Sequence, residues 1–104
     1  MKEKYLPIGT VVLLKDGVKE VMITGLAILG GKKETGEAKI WDYAGCPYPE
    51  GIISTSQTFG FDHDKIQKIC YMGYETEAHR RISDLAKQEV AKIEEKLNQT
   101  SEEN

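Results

Sequence analysis

The sequence predicts an α+β domain: a small curled antiparallel sheet or SH3-like barrel of about five short strands, followed by a long C-terminal amphipathic helix. Three observations predict it. Short β-branched and aliphatic runs recur through residues 5–73, separated by glycine, proline and aspartate clusters. From about Glu75 the apolar spacing changes from two to three and four. All the strand candidates precede the helix, an order that belongs to α+β folds and not to alternating βαβ units.

Taken in order, Leu6-Pro7-Ile8-Gly9 reads as an entry turn, with Pro7 fixing φ and Gly9 tolerating an unusual backbone. Thr10-Val11-Val12-Leu13-Leu14 is the first strand, and Asp16-Gly17 is a hairpin signal in which glycine accepts a positive φ. Residues 18–25 form the second strand. The polar, glycine-rich residues 30–37 suit a loop or hairpin tip. A strand resumes over residues 38–43. It is expected to stop at Gly45-Cys46-Pro47-Tyr48-Pro49-Glu50-Gly51, a rigid loop of two prolines spaced by a tyrosine. Ile52 and Ile53 read as a short strand, Asp64 to Lys68 as one helical turn capped by Asp62 or Asp64, and residues 69–72 as the last strand.

In the helix, Ala78, Ile82, Leu85, Ala86, Val90, Ile93 and Leu97 form one stripe. Burying its larger members would contribute about 10 kcal/mol gross, at ~2 kcal/mol per side chain. A helix of about 24 residues is roughly 36 Å long, whereas short strands span only ~20 Å. The stripe at Val90, Ile93 and Leu97 is therefore expected to overhang the sheet and meet a second copy, as a homodimer, or a client helix. Residues 1–97 are expected to be a single domain, with a β-rich body over 5–73 and the helix over 75–97. Residues 98–104 are expected to be a disordered tail.

At 104 residues the chain holds one hydrophobic core, and 39% apolar with 30% charged residues is a globular balance. The net charge of −3 argues against a nucleic-acid partner, because residues 1–60 carry seven basic and seven acidic side chains and residues 61–104 seven and ten. No apolar run reaches the roughly 20 residues of a membrane span, and the first residues lack a signal-peptide apolar region. A cytoplasmic protein with Cys46 and Cys70 as free thiols is expected.

Candidate chemistry is sparse. Cys46 with His63 or His79 could form a nucleophile and base, but spacing implies no third orienting group. Asp62, His63 and Asp64 are adjacent, so in extended chain they diverge, and turn formation explains them better than a metal. Residues 25–33 lack the spacing of a phosphate loop. No catalytic residue, metal or cofactor is assigned. The proline–tyrosine loop either plugs one end of the sheet with Tyr48 or presents a preorganised recognition surface, for which Trp41, Tyr43, Cys46, Pro47, Tyr48 and Pro49 are the candidates.

Two segments carry a family resemblance. Residues 6–17 (LPIGTVVLLKDG), continuing to Val21-Met22-Ile23-Thr24-Gly25, and the central Asp42-Tyr43-Ala44-Gly45-Cys46-Pro47-Tyr48-Pro49-Glu50-Gly51 resemble domain-of-unknown-function family 4176. Phe61-Asp62-His63-Asp64 with Ile66, and Gly73-Tyr74, sit where that family has similar residues, so the resemblance covers roughly residues 5–75. It implies a small cytoplasmic protein of Gram-positive bacteria, encoded beside type VII secretion toxins with an LXG domain. The implied role is a non-enzymatic adaptor or chaperone that holds a secreted toxin polypeptide. An immunity protein occluding the toxin's catalytic domain is the alternative, and a hydrolase using Cys46 ranks below both.

Overall fold

The computed structural model describes residues 5–31, 38–54 and 58–103, without the side chains of residues 30, 31, 38 and 96–103. Five strands, β1 (Val11–Leu14), β2 (Glu20–Gly31), β3 (Ala38–Pro47), β4 (Phe59–Phe61) and β5 (Ile66–Tyr71), precede one helix, α1 (Glu77–Glu103). The strands make one antiparallel sheet in the order β4-β3-β2-β1-β5. β4 and β5 are its opposite edges and do not pair, so of the two expected forms the chain takes the open curled sheet and not the barrel.

The entry turn forms at Gly9, whose φ of 93° needs a residue without Cβ, and its N–H donates to the Ile23 carbonyl at 2.9 Å. The β1–β2 turn also forms, with the Gly17 N–H donating to the Leu14 carbonyl. Its positive φ, 65°, falls on Asp16 and not on the glycine. Aspartate is one of the few side chains that tolerates that region.

The strands are longer than expected. β2 does not stop near Gly25 but runs 12 residues, about 40 Å at ~3.3 Å per residue. It continues by bending. Ile23 opposes Gly45 while Gly25 opposes Ala44, so Thr24 is an extra residue bulged out of the ladder. Ala27 then takes a φ of 52°. β3 likewise passes through Gly45 and Cys46 to Pro47, which pairs with Val21. Proline is tolerated because Tyr48 donates its N–H to the Glu20 carbonyl, which places the missing Pro47 N–H on the other edge of β3. β4 reaches only Gly45 on that edge, so no ladder bond is lost. The proline–tyrosine loop is therefore the end of a strand followed by a turn, with a cis Tyr48–Pro49 peptide.

Elsewhere the boundaries shift. Ile52 and Ile53 are not a strand and are 54% and 70% exposed; the loop's own Gly51-to-Pro47 hydrogen bond turns them away from the ladder. Phe59–Phe61 forms β4 instead. The helical turn is a 3-10 turn at His63–Lys65, and Asp62 precedes it without capping it. β5 begins at Ile66, earlier than expected. The tip residues 32–37, and 55–57 of the polar stretch after Ile53, lie outside the described residues. Thr76 starts α1 by accepting the His79 N–H at 3.1 Å on Oγ1. The helix backbone continues to Glu103, past the expected break after Leu97, since none of the residues 98–103 is glycine or proline.

The core lies between one face of the sheet, the segment before β1, and α1. Val12, Val21, Ile23, Tyr43 and Phe61 supply the sheet side, Tyr5 the preceding segment, and Ala86 packs from the helix. Ser83 is fully buried in α1, and its Oγ accepts the Tyr5 N–H at 2.9 Å; His79 Nε2 donates to the Tyr5 carbonyl at 2.9 Å. The Tyr5 backbone thus has both polar groups satisfied by the helix, as a buried peptide requires. Ser83→Ala would leave a buried N–H unpartnered and is expected to destabilise the fold by about 1–2 kcal/mol, after a small gain in helix propensity. Urea denaturation followed by far-UV circular dichroism measures it, and an unchanged midpoint would contradict this account.

Candidate protein-binding surface

Among the described residues, no helix lies on the face of the sheet turned away from the core. Because strand side chains alternate, Val11, Met22, Ala44 and Tyr48 point opposite to Val12, Val21, Ile23 and Tyr43. Val11, Met22, Tyr48, Cys70 and Tyr71 line a hollow of ≈ 440 Å³ on this face, with Gly9 and Glu20 at its margin. Tyr48 and Tyr71 are well exposed. A smaller hollow of ≈ 220 Å³ lies between Ile28, Trp41, Ala44, Phe59 and Gly60. Trp41 lies flat over Gly60, where an added Cβ would sit 2.6 Å from the ring. That close approach fixes the indole on the sheet, and the Lys39 ammonium stands 4.7 Å from the ring centroid.

The loop that presents Tyr48 is tied at several points. Tyr48 donates its N–H to the Glu20 carbonyl, Gly51 donates to the Pro47 carbonyl at 2.8 Å, and Lys19 pairs with Glu50 at 2.6 Å. The ammonium of Lys19 hydrogen-bonds the exposed Glu50 carboxyl and holds its pKa below the usual value. Tyr48 therefore stands on a base with few conformations to lose on binding.

Two expected contact residues are not exposed on this surface. Tyr43 and Cys46 are fully buried. Tyr43 is the centre of the core: its ring meets Tyr5 edge-on at 5.9 Å and lies 5.4 Å from Phe61. Its hydroxyl accepts the Leu6 N–H at 3.0 Å and is 2.7 Å from His63 Nδ1. One arrangement satisfies both, with the phenol proton donated to Nδ1. Burial pushes the phenol up to about 12, helped by the nearby Asp42 carboxylate and opposed by the Leu6 hydrogen bond. Cys46 and Cys70 are both free thiols.

The remaining candidates divide by position. Trp41, Pro47, Tyr48 and Pro49 reach the surface. Val90 and Ile93 do not overhang the sheet, because the long β2–β3 arm runs beside the helix. They line, with Ile82, Leu85, Ala27, Leu29 and Ile40, an apolar groove of ≈ 270 Å³ between α1 and that arm. The Leu97 side chain lies outside the described residues. A polar hollow of ≈ 610 Å³ holds Lys39, Asp42, Asp62, His63, Asp64 and Glu94. Four of its residues serve one another: Asp62 accepts the Asp42 N–H and pairs with Lys39 at 2.9 Å, and Asp42 accepts the His63 N–H at 2.8 Å. Among the described residues no three His, Cys, Asp or Glu side chains come together as metal ligands. No described helix is long and apolar enough to cross a membrane.

Sequence reasoning missed Met22 and Tyr71 on the open face and Ser83 and His79 on the inner side of the helix. The alternation at Met22 was readable once residues 18–25 were a strand. Ser83 gave no signal, since a serine inside a helix is usually a solvated one. The model of one protein family, described as Domain of unknown function (DUF4176), matches residues 5–82. No curated protein and no solved structure matches the chain.

The Tyr43 environment has a pH signature. A phenol raised from 10 to about 12 favours its neutral form in the folded state. Its contribution is fully present below pH 10 and is lost as pH rises through about 12, a total of roughly 3 kcal/mol. Tyr43→Phe is expected to cost about 1–3 kcal/mol at neutral pH, because the Leu6 N–H loses its acceptor, and to flatten the alkaline loss. The Tyr5 phenol, also raised by burial, retains part of that slope. Urea midpoints of both proteins from about pH 8 to about pH 11 test this; parallel curves would contradict it.

Proposed function

We propose, from the premise that the chain belongs to the DUF4176 family, that it is a non-enzymatic, chaperone-like adaptor. On this reading it holds a type VII secretion toxin polypeptide in the cytoplasm before export. The observation that carries the binding role is the sheet face that no described helix covers, where Tyr48 and Tyr71 stand exposed over a hollow floored by Val11 and Met22. Exposed rings on a rigid base are the side chains that dominate binding energy, since they contribute large area at small entropic cost. The toxin as client comes from the family's implied setting.

What weighs against a cysteine hydrolase is the placement of its parts. Cys46 is fully buried, while His63 bonds the core phenol and His79 bonds the Tyr5 carbonyl. A nucleophile needs access to substrate and a base free to take its proton.

The test is retention of toxin fragments by the purified protein. The adaptor reading expects retention of a region outside the catalytic domain with toxin activity intact. It also expects Tyr48→Ala and Tyr71→Ala each to weaken that binding by up to ~30-fold while leaving the urea midpoint nearly unchanged. Retention of the catalytic domain with loss of toxin activity would replace this reading with an immunity role. Binding indifferent to both tyrosines would remove the open face as the site.

A further inference from the structure

We infer that the hollow on the open face takes the guanidinium of an arginine side chain from the bound polypeptide, between Tyr48 and Tyr71 and against the carboxylate of Glu20. This selectivity rests on the reading of the open face as the polypeptide-binding surface and names the chemistry that the surface prefers. Strand register places the groups. On β1, Leu13 pairs with Glu20 of β2 and Lys68 of β5, and Val11 pairs with Met22 and Tyr71. Tyr48 stands across from Glu20, to whose carbonyl it donates its N–H at 3.0 Å. Two rows therefore cross the same face of the sheet, Tyr48, Glu20, Leu13 and Lys68 in one and Met22, Val11 and Tyr71 in the next. The hollow of ≈ 440 Å³ draws on both rows, lined by the two rings and floored by Val11 and Met22.

The electrostatics of the lining select a cation. Of the described residues that line the hollow, Glu20 alone carries a formal charge. Its carboxylate accepts the Cys70 thiol proton. Partial desolvation and that carboxylate hold the thiol above its ordinary pKa, against the opposing pull of Lys68, so Cys70 stays neutral and leaves the negative charge uncompensated. The nearby bases do not neutralise it either. Lys19 is engaged by Glu50 at 2.6 Å. Lys68 lies at the far end of the Glu20 row, beyond Leu13, two strand spacings or about 10 Å away. Lys15 and Lys65 meet past the far end of β1, whereas the hollow lies toward its Gly9 end. Among the described residues no ion pair reaches Glu20. Tyr48 is 42% exposed and Tyr71 68%, so both keep free ring surface. Ring faces are electron-rich, and two of them beside an uncompensated carboxylate attract a cation and repel an anion. Guanidinium suits the place better than ammonium, because it is planar, weakly hydrated, stacks on rings and forks to a carboxylate.

The probe is N-acetyl-arginine amide, with N-acetyl-citrulline amide as an uncharged control of nearly the same shape. Each is titrated into the isotope-labelled full chain under reducing conditions and followed by backbone amide shifts. Saturable binding in the millimolar range, centred on Val11, Met22 and Tyr71, is expected for the arginine compound, and binding at least about fivefold weaker for the citrulline compound. Glu20→Gln should weaken arginine binding about fivefold, Tyr48→Leu and Tyr71→Leu about threefold each, and added salt should weaken it in the wild type. Tyr71→Phe keeps the ring and should bind as the wild type does, which separates loss of the ring from loss of the fold. Lys68→Gln, on the same face, should leave binding unchanged or tighten it up to about twofold. No saturation at tens of millimolar, or equal binding of the two compounds, overturns the proposal. So does the opposite charge pattern, weakening by Lys68→Gln and tightening by Glu20→Gln, which marks an anionic partner. Toxin retention separates this inference from the adaptor reading. Retention weakened by Tyr48→Ala but not by Glu20→Gln keeps the open face as the client site and overturns the arginine. Probe binding as expected, with retention indifferent to Glu20, Tyr48 and Tyr71, keeps the arginine site and removes the toxin as its source.

Discussion

The hydrogen bond from the Tyr5 N–H to the buried Ser83 hydroxyl, with its companions from His79 to the Tyr5 carbonyl and from the Leu6 N–H to Tyr43, joins the helix to the sheet through two residues of backbone. These two residues lie in the core rather than over it. A segment of extended chain buried there brings polar peptide groups into a low-dielectric space, and each must be satisfied. The residues that satisfy them come from both neighbours, a serine and a histidine from the helix and a phenol from the sheet. The Tyr5 ring, edge-on to Tyr43, completes the seal.

The rotation of the helix follows from that requirement. An amphipathic helix is expected to place the middle of its apolar stripe on the core. Here the seam that faces inward must contain the two polar partners of Tyr5, so the helix is turned about its axis, and Ile82 and Leu85 are left half in solvent. Apolar burial given up on one side is exchanged for polar satisfaction on the other. The long β2–β3 arm partly screens the displaced ribbon, which is why the same residues border a groove and not a flat open face.

Local signals in the sequence were sound where the local chain decides. The entry turn at Gly9, the reversal at Asp16-Gly17, the first strand and the start of the helix near Thr76 all depend on short-range propensity and appear where expected. The errors have a common cause. Gly25, Gly45 and Pro47 are usually strand breakers, but a bulge at Thr24 and an open edge beyond β4 let both strands pass through them. Those conditions are set by neighbouring strands and are invisible to a reading along the chain. The candidate surface divides the same way. Tyr48 was recognisable because a proline-bracketed tyrosine is locally constrained to stand out. Tyr43, a few residues away, is buried against Tyr5 and Phe61, which are distant in sequence.

The Tyr5–Ser83 contact closes a loop of 78 residues, and every strand of the sheet lies inside it. Closing so long a loop costs entropy that is recovered only when the contacts within it are already in place. Docking of α1 therefore depends on a finished sheet, whose own ladders close shorter loops, the longest of them from Val11 to Tyr71. The clasp makes the fold hierarchical: the element carrying the apolar ribbon is seated only on a correctly assembled body. A chain whose sheet has failed to form has nothing to hold its helix, which is then as free as an isolated peptide and as marginally stable.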